Sequence, residues 1–274
     1  MKRLLSIVLI TGLMAGGALS ARAQGTAPES SDGADDGQKN TAKARQLIQQ
    51  AIEALGGPAY LGVRDMQQQG RTYSLHHGES TSNGVLFWRF VQAPDKERVE
   101  VTKERDVAYV YNGDKGYELT YKGAHAIESK DLTDYLRRRK FSLDAVLREW
   151  VNAKGVAIFY EGQAISGNRP AEQVTLVSAE NDAVTLLLDP SSHLPIGKRF
   201  SWRDPVDKQK NLEEETYDNY RAVGGIMTAY NITRFFNGDM ANQRFLNSAS
   251  YNEGLPAAMF DPNSGYSPNK AGKK

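Results

Sequence analysis

The residue types that most often form metal or hydrolytic centres are sparse in this chain. The 274 residues contain no cysteine and four histidines, which are His76, His77, His125 and His193. Neighbouring residues of a strand face opposite sides of a sheet, so His76 and His77 cannot both bind one ion in regular strand geometry. No H-x-H, H-E-x-x-H, G-x-S-x-G or phosphate-binding loop motif occurs. The sequence therefore predicts a protein that is not an enzyme and that uses no metal and no cofactor.

Two clusters of charge are placed where they could contact a ligand or a partner. The basic run at 137–140 follows an amphipathic segment, and it is typical of a solvated helix end or of a patch for anionic lipid headgroups or an acidic partner. The acidic run at 213–215 opens a predicted strand and indicates a solvated sheet edge.

Aromatic side chains alternate along several segments. Trp88 and Phe90 share one face, as do Tyr109 with Tyr111 and Phe200 with Trp202, and Phe159 and Phe235 lie in the middle of strands. This pattern fits either a filled core or the wall of an apolar cavity.

The first 23 residues have the features of a secretory signal. Basic residues at 2 and 3 precede an apolar stretch from 4 to about 19, and Ala21-Arg22-Ala23 matches an A-x-A cleavage site. Without this segment, which carries three basic and no acidic residues, the formal net charge changes from +1 to −2. A near-neutral exported chain is not suited to nucleic acid, and no second apolar run could span a membrane. With no cysteine after the cleavage site to carry a lipid, we expect a soluble periplasmic protein.

The remaining chain is predicted to be mainly β. Polar composition predicts a disordered leader at 24–40 and a disordered tail at 261–274. Helical periodicity begins at Thr41 and ends before Gly56-Gly57-Pro58. About ten short strands follow as an antiparallel meander, open or nearly closed. Residues 131–151 interrupt them with a helical pattern that is jointed at Phe141-Ser142.

Several of these segments together resemble a known superfamily. They are Ala54-Leu55-Gly56-Gly57 with Leu61-Gly62-Val63-Arg64, then the segment LDPSSHLP at 188–195, and the segment YDNYRAVGGI at 217–226. In this order they are similar to the LolA/LolB-like proteins, which include outer-membrane lipoprotein-sorting proteins. The resemblance covers roughly residues 42–260. It implies an unclosed half-barrel, that is, a strongly curved antiparallel sheet with helices covering its concave face and an apolar cavity for acyl chains.

From these observations we expect a LolA-like domain at 41–260 that carries or binds the acyl chains of a lipid or lipoprotein. The alternative is a module with the same fold but a filled cavity, which binds another envelope protein. The resemblance also implies an arginine inside the cavity, for which Arg89 has the best position, in the middle of an apolar strand. The residues expected to line the cavity are Trp88, Arg89, Phe90, Tyr109, Tyr111, Phe159, Leu186, Leu188, Phe200, Trp202 and Phe235.

Overall fold

The fold is built on one large antiparallel sheet. The structure, a computed structural model, describes residues 31–76, 78–81 and 83–266. The predicted signal peptide at 1–23 lies outside these ranges. The first strands along the chain are β1 (Asp65–His76), β2 (Glu79–Ser80), β3 (Val85–Gln92), β4 (Lys96–Val101), β5 (Val107–Asn112), β6 (Lys115–Thr120) and β7 (Gly123–Ala126). The later strands are β8 (Ala157–Ser166), β9 (Arg169–Val177), β10 (Ala183–Leu188), β11 (Pro195–Arg203), β12 (Lys210–Val223), β13 (Ile226–Phe236) and β14 (Asp239–Tyr251).

Two meanders join in the middle of this sheet. Strand β1 pairs with β3 on one side and with β14 on the other, so the strand order runs from β7 through β3, β1 and β14 to β8. Strand β2 lies off this path and pairs with β1. The sheet is strongly curved and does not close, because β7 and β8 remain its two edges. The prediction of a mainly β, unclosed antiparallel sheet is confirmed, with fourteen strands instead of about ten.

The extra strands lie where the sequence lacks an alternating apolar pattern. Strand β1 contains Gln67, Gln68 and Gln69 and few apolar residues, so periodicity does not reveal it. It is held by pairing along both of its edges, which satisfies its backbone polar groups without a strongly apolar face.

The helices connect and cover the sheet. They are α1 (Ser31–Leu55), α2 (Pro58–Leu61), α3 (Ser129–Lys140) and α4 (Leu143–Arg148). As the sequence predicts, the segment between β7 and β8 forms two helices separated at Phe141 and Ser142. The Ser142 hydroxyl accepts a hydrogen bond from the Ala145 backbone N–H (3.2 Å) and caps α4.

Helix α1 begins ten residues before the predicted start at Thr41. Its residues 31–40 belong to the segment that the composition assigned to a disordered leader. The side chain of Asn40 explains part of this difference. Its amide donates to the Tyr160 carbonyl (2.7 Å) and accepts from the Tyr160 N–H (2.9 Å), so it pairs with the backbone of edge strand β8. This long-range contact leaves no local signal in the sequence.

The two faces of the sheet bury different cores. On the concave face, the apolar stripe of α1 packs with Phe141, Val146 and Leu147 against strands β8 to β11. On the convex face, residues 255–266 cross β3 and include a short 3₁₀ helix, Ala257–Phe260. The stretch 261–266, which composition predicted to be disordered, continues along this face and brings the Tyr266 ring over Arg98 (5.0 Å).

Candidate ligand cavity

A cavity of about 700 Å³ lies between the concave face of the sheet and helices α2, α3 and α4. Strands β1, β3, β4, β12, β13 and β14 supply one wall, and the helices supply the other. Its apolar and aromatic lining consists of Leu55, Tyr60, Val63, Met66, Val91, Ala93, Pro94, Tyr135, Leu136, Leu143, Ala145, Trp150, Tyr217, Tyr220, Ile226, Met227, Ala229, Ile232 and Tyr251.

Strand pairing shows how the lining changes along the cavity. Met66 lies opposite Val91 on one side and opposite Tyr251 on the other, which makes one apolar row. Eight residues further along β1, Ser74 lies opposite Asn242, which pairs with Arg234. At the rise of a β-strand these rows are roughly 25 Å apart. The cavity therefore runs from an apolar end toward a charged one.

Helices α2 and α4 close the apolar end. The Tyr60 hydroxyl donates to the Asp144 carboxylate (2.9 Å), and burial, followed by the charge of Asp144, raises the pKa of Tyr60 well above its ordinary value. Arg148 donates to the backbone carbonyl of Val63. Charged groups at this end thus have partners on α2 or just after it.

Helix α3 is fixed over the sheet by contacts with turns and strands. The Arg139 guanidinium donates to the backbone carbonyls of Asp95 (3.1 Å) and Gly113 (2.7 Å). The Tyr135 ring stacks on Tyr111, with ring centroids 3.4 Å apart and planes inclined by 10°. These contacts hold the Tyr135 hydroxyl and the basic run at the cavity.

Arg89 and Glu97 form a closely paired ion pair in the cavity wall. Arg89 Nε donates to Glu97 Oε1 (2.7 Å), Nη2 donates to Oε2 (3.1 Å), and Nη1 donates to the side-chain oxygen of Gln68 (3.2 Å). Tyr135 also donates to Glu97 (3.2 Å). Burial alone would raise the pKa of Glu97, but the charge and hydrogen bonds of Arg89 outweigh it and lower that pKa.

Glu215 forms a second paired centre. Its carboxylate lies 3.2 Å from Lys198 Nζ and accepts a hydrogen bond from the Tyr217 hydroxyl (2.8 Å). The nearest guanidinium nitrogen of Arg244 is 3.9 Å away. Burial opposes the charged form, yet these cations and the hydroxyl lower the pKa of Glu215 to about 2.

Glu213 is buried but loosely paired. Its carboxylate oxygens lie 3.9 Å from Arg138 and 3.7 Å from Arg234, which is too far for a hydrogen bond. Burial raises the pKa of Glu213 despite both arginines. The solvated sheet edge expected for 213–215 is not what the structure shows, because β12 pairs with β11 on one side and with β13 on the other. Arg138 of the basic run and Glu215 of the acidic run both line the cavity.

Of the residues expected from the sequence to line the cavity, Arg89 does so. Trp88 and Phe90 lie on the opposite, convex face, since side chains alternate along β3. There they pack with Leu255, Met259 and other residues of the C-terminal segment.

The other expected residues fall outside the lining of the cavity, within the part of the chain that the structure describes. Leu186, Leu188 and Phe200 are buried in the main core against the helices. Trp202 packs against Phe200 and Phe236, and its ring lies 3.9 Å from the Arg137 guanidinium. Tyr109 donates to Glu118 (3.2 Å), and Tyr111 lies beneath Tyr135. Phe159 is 42% exposed, and Phe235 is half-buried.

Sequence reasoning missed the charged lining, chiefly Glu97, Glu215, Arg234 and Arg244. The sequence contains one signal for this lining. Charged residues stand two positions from apolar or aromatic ones, as Glu215 does from Tyr217 and Arg234 from Ile232. In a strand this places charge on the same face as apolar groups. Such a face suits an amphiphilic ligand better than a purely apolar one.

Among the described residues no group of three or more His, Cys, Asp or Glu side chains could hold a metal ion. His125 is exposed on β7, and His193 lies in the turn before β11. In the same ranges no helix is long and apolar enough to cross a membrane.

Comparison with known proteins shows similarity at the level of the fold. No family model matches the sequence, and no curated protein matches it. A solved DUF1329 family protein from Desulfovibrio piger superposes with a TM-score of 0.58 at 10% identity, covering 81% of this chain and 97% of its own. A putative outer membrane lipoprotein-sorting protein domain from Vibrio parahaemolyticus gives 0.54 at 12% identity, with 82% and 98% covered. A LolA superfamily protein from Nitrosomonas europaea gives 0.50 at 13% identity, with 80% and 97% covered.

The fold of this chain is LolA-like. The similarity spans nearly the whole length of each of these proteins, so it includes the curved sheet together with its helical cover. The resemblance expected from the three sequence segments is confirmed. At these identities the comparison concerns the fold, and the LolA-like fold leaves open which molecule the cavity takes.

Proposed function

We propose that this protein binds the acyl chains of a lipid or lipoprotein in the cavity between the sheet and helices α2 to α4, and carries them within the periplasm. The observation that carries the proposal is the open cavity of about 700 Å³ with an apolar end at Met66, Val91 and Tyr251. Ligand sites in proteins usually enclose roughly 300–1,000 Å³.

The energetics favour an acyl ligand at the apolar end. Each methylene removed from water contributes about 0.8 kcal/mol, so a chain that fills only part of the cavity is already bound measurably. An open cavity also argues against the alternative in which the same fold has a filled interior and acts only through its surface.

Native mass spectrometry and lipid extraction of the protein purified from a Gram-negative host would test the proposal. We expect co-purifying lipid and displacement of it by a fluorescent fatty acid. The absence of both bound lipid and fatty-acid binding would contradict the proposal.

A cavity-filling variant gives the matched test. Ala229 lines the cavity on β13, whereas Ala183 is exposed at the start of β10 and does not line it. We expect Ala229→Trp to lower lipid affinity about tenfold or more, because the indole would take the space of at least two methylenes of the ligand, each of which contributes about 0.8 kcal/mol. Ala183→Trp introduces the same side chain on a strand and should leave binding unchanged. Equal lipid binding by both variants would place the ligand elsewhere.

A further inference from the structure

The charged end of the cavity has more cations than carboxylates. Arg138, Arg234 and Arg244 line it, together with the carboxylate of Glu215. The Arg89–Glu97 pair also lines the cavity and lies closer to the apolar row, because Glu97 pairs with Val91 across β3 and β4. Glu97 is taken by the bidentate contact with Arg89, and Glu215 by Lys198 and Tyr217. Three arginines are left with weaker partners.

Those three arginines come together from two strands and a helix. Arg234 pairs with Asn242 across β13 and β14, so Arg244, two residues further along β14 on the same face, is its diagonal neighbour. Such neighbours have Cα atoms roughly 7–8 Å apart, within reach of long side chains. Arg138 joins them from α3, since it and Arg234 approach the same carboxylate of Glu213.

Their contacts with carboxylates are too long for hydrogen bonds. The shortest nitrogen–oxygen separations are 3.9 Å for Arg138, 3.7 Å for Arg234 and 3.9 Å for Arg244. The Arg89–Glu97 pair in the same cavity, at 2.7 Å, shows the geometry that a saturated guanidinium adopts. The side chains of Arg234 and Arg244 are half-buried, and this partial burial without a close anion is the main cause that lowers the pKa of both.

We infer that Arg138, Arg234 and Arg244 bind the anionic headgroup, a phosphate or carboxylate, of an amphiphile whose acyl part lies toward Met66 and Tyr251. This inference rests on the proposed function and names its ligand class. A guanidinium presents two parallel N–H donors that match the oxygens of a phosphate or carboxylate. The change of lining along the strands orients such a ligand in one direction.

The first test compares ligands with the same chains and different headgroups. Displacement of the uncharged probe N-phenyl-1-naphthylamine would be measured with dioleoylphosphatidylglycerol, with uncharged dioleoylglycerol and with glycerol phosphate. We expect phosphatidylglycerol to bind about tenfold or more tightly than dioleoylglycerol, as charge-assisted hydrogen bonds would provide. Glycerol phosphate should bind far more weakly than phosphatidylglycerol, because it lacks the acyl chains.

The outcomes separate this inference from the proposed function. Equal binding of both lipids would overturn the headgroup site and leave the acyl cavity standing. Binding of neither lipid would overturn both. Glycerol phosphate binding as tightly as phosphatidylglycerol would also overturn the inference, because the ligand would then be a soluble phosphate compound.

Substitution of the arginines tests whether they bind the lipid headgroup. The double variant Arg234→Gln, Arg244→Gln should abolish the preference for phosphatidylglycerol while dioleoylglycerol binding persists. Arg45→Gln, on the exposed side of α1, makes the same substitution once outside the cavity and should keep the preference. Loss of the preference in Arg45→Gln as well would contradict a local site.

A variant with the opposite expected effect guards against a folding artefact. Glu213→Gln removes the carboxylate that competes for Arg138 and Arg234, so phosphatidylglycerol should bind about threefold or more tightly. A merely structural role for this cluster would give unchanged or weaker binding. That result would overturn the inference even if the double arginine variant did not fold.

Discussion

A glutamate lies between two arginines on each face of the sheet, but the two groups differ in geometry. On the convex face Glu100 accepts from Arg98 (2.7 Å) and from Arg105 (2.6 Å). On the concave face the carboxylate of Glu213 is 3.7 and 3.9 Å from its arginines. Both carboxylates are nearly inaccessible, with side-chain exposures of 0% for Glu100 and 4% for Glu213.

The covering segments account for the difference. On the convex face the C-terminal segment completes the group, because Arg98 donates to the Met259 carbonyl (3.2 Å) and lies under the Tyr266 ring. Arg105 lies over the Trp88 ring (5.0 Å). On the concave face the covering element is α3, which contacts the sheet through Tyr135 and leaves the cavity beside this contact. The same residue types thus build a closely paired contact in one place and a loosely paired contact beside a cavity in the other.

The largest expected effect comes from opening the closed group. Glu100→Gln would leave Arg98 and Arg105 without their counter-charge in a buried site, and breaking such a pair costs about 3–5 kcal/mol. Urea unfolding would measure the loss of stability. Glu161→Gln, at an exposed position of β8, should change stability by less than about 0.5 kcal/mol. Similar small effects at both positions would mean that the convex group is not a structural centre.

A smaller effect, with a defined pH range, is expected from the paired carboxylate of the cavity. The pKa of Glu215 is lowered to about 2 in the folded protein, so its ion pairs stabilise the fold above its ordinary pKa. This contribution is lost as the pH falls from about 4.5 toward 2. Glu215→Gln should therefore lower stability at pH 7 and flatten the pH dependence in that range. Unfolding curves at several pH values would test this, and an unchanged acid profile would contradict the assignment.

Much of the sheet could be predicted because its strands show local alternation. Strand β5 alternates between half-buried and buried positions, and the break between α3 and α4 follows from the helical pattern on either side of Ser142. Strand β1 could not be found in this way. Its three glutamines carry no apolar period, and its place in the sheet depends on partners from 13 residues away (Thr72 and Val85) to 185 residues away (Met66 and Tyr251).

The candidate site was less predictable, because alternation divides a strand into two faces without telling which one is concave. For β3 that choice depends on residues 255–260, which cover Trp88 and Phe90 and leave Arg89 to the cavity. The meeting of Arg138 with Glu213 depends on how α3 crosses the open side of the sheet. Both are contacts between distant segments, and neither leaves a mark in the local sequence.

The smallest expected effect on stability, and one of opposite sign, concerns Glu213. Burial raises its pKa, so its charged form is disfavoured in the folded protein and costs stability at neutral pH. Glu213→Gln keeps the shape and removes the charge, so stability at pH 7 should stay within about 0.5 kcal/mol or increase. The advantage over the original chain should disappear as the pH falls and Glu213 becomes protonated. Urea unfolding of Glu213→Gln and of Glu100→Gln compares two glutamates that each lie between two arginines. A loss as large as that of Glu100→Gln would show that the concave group is as tightly integrated as the convex one, and would remove the distinction between a structural and a binding cluster of arginines.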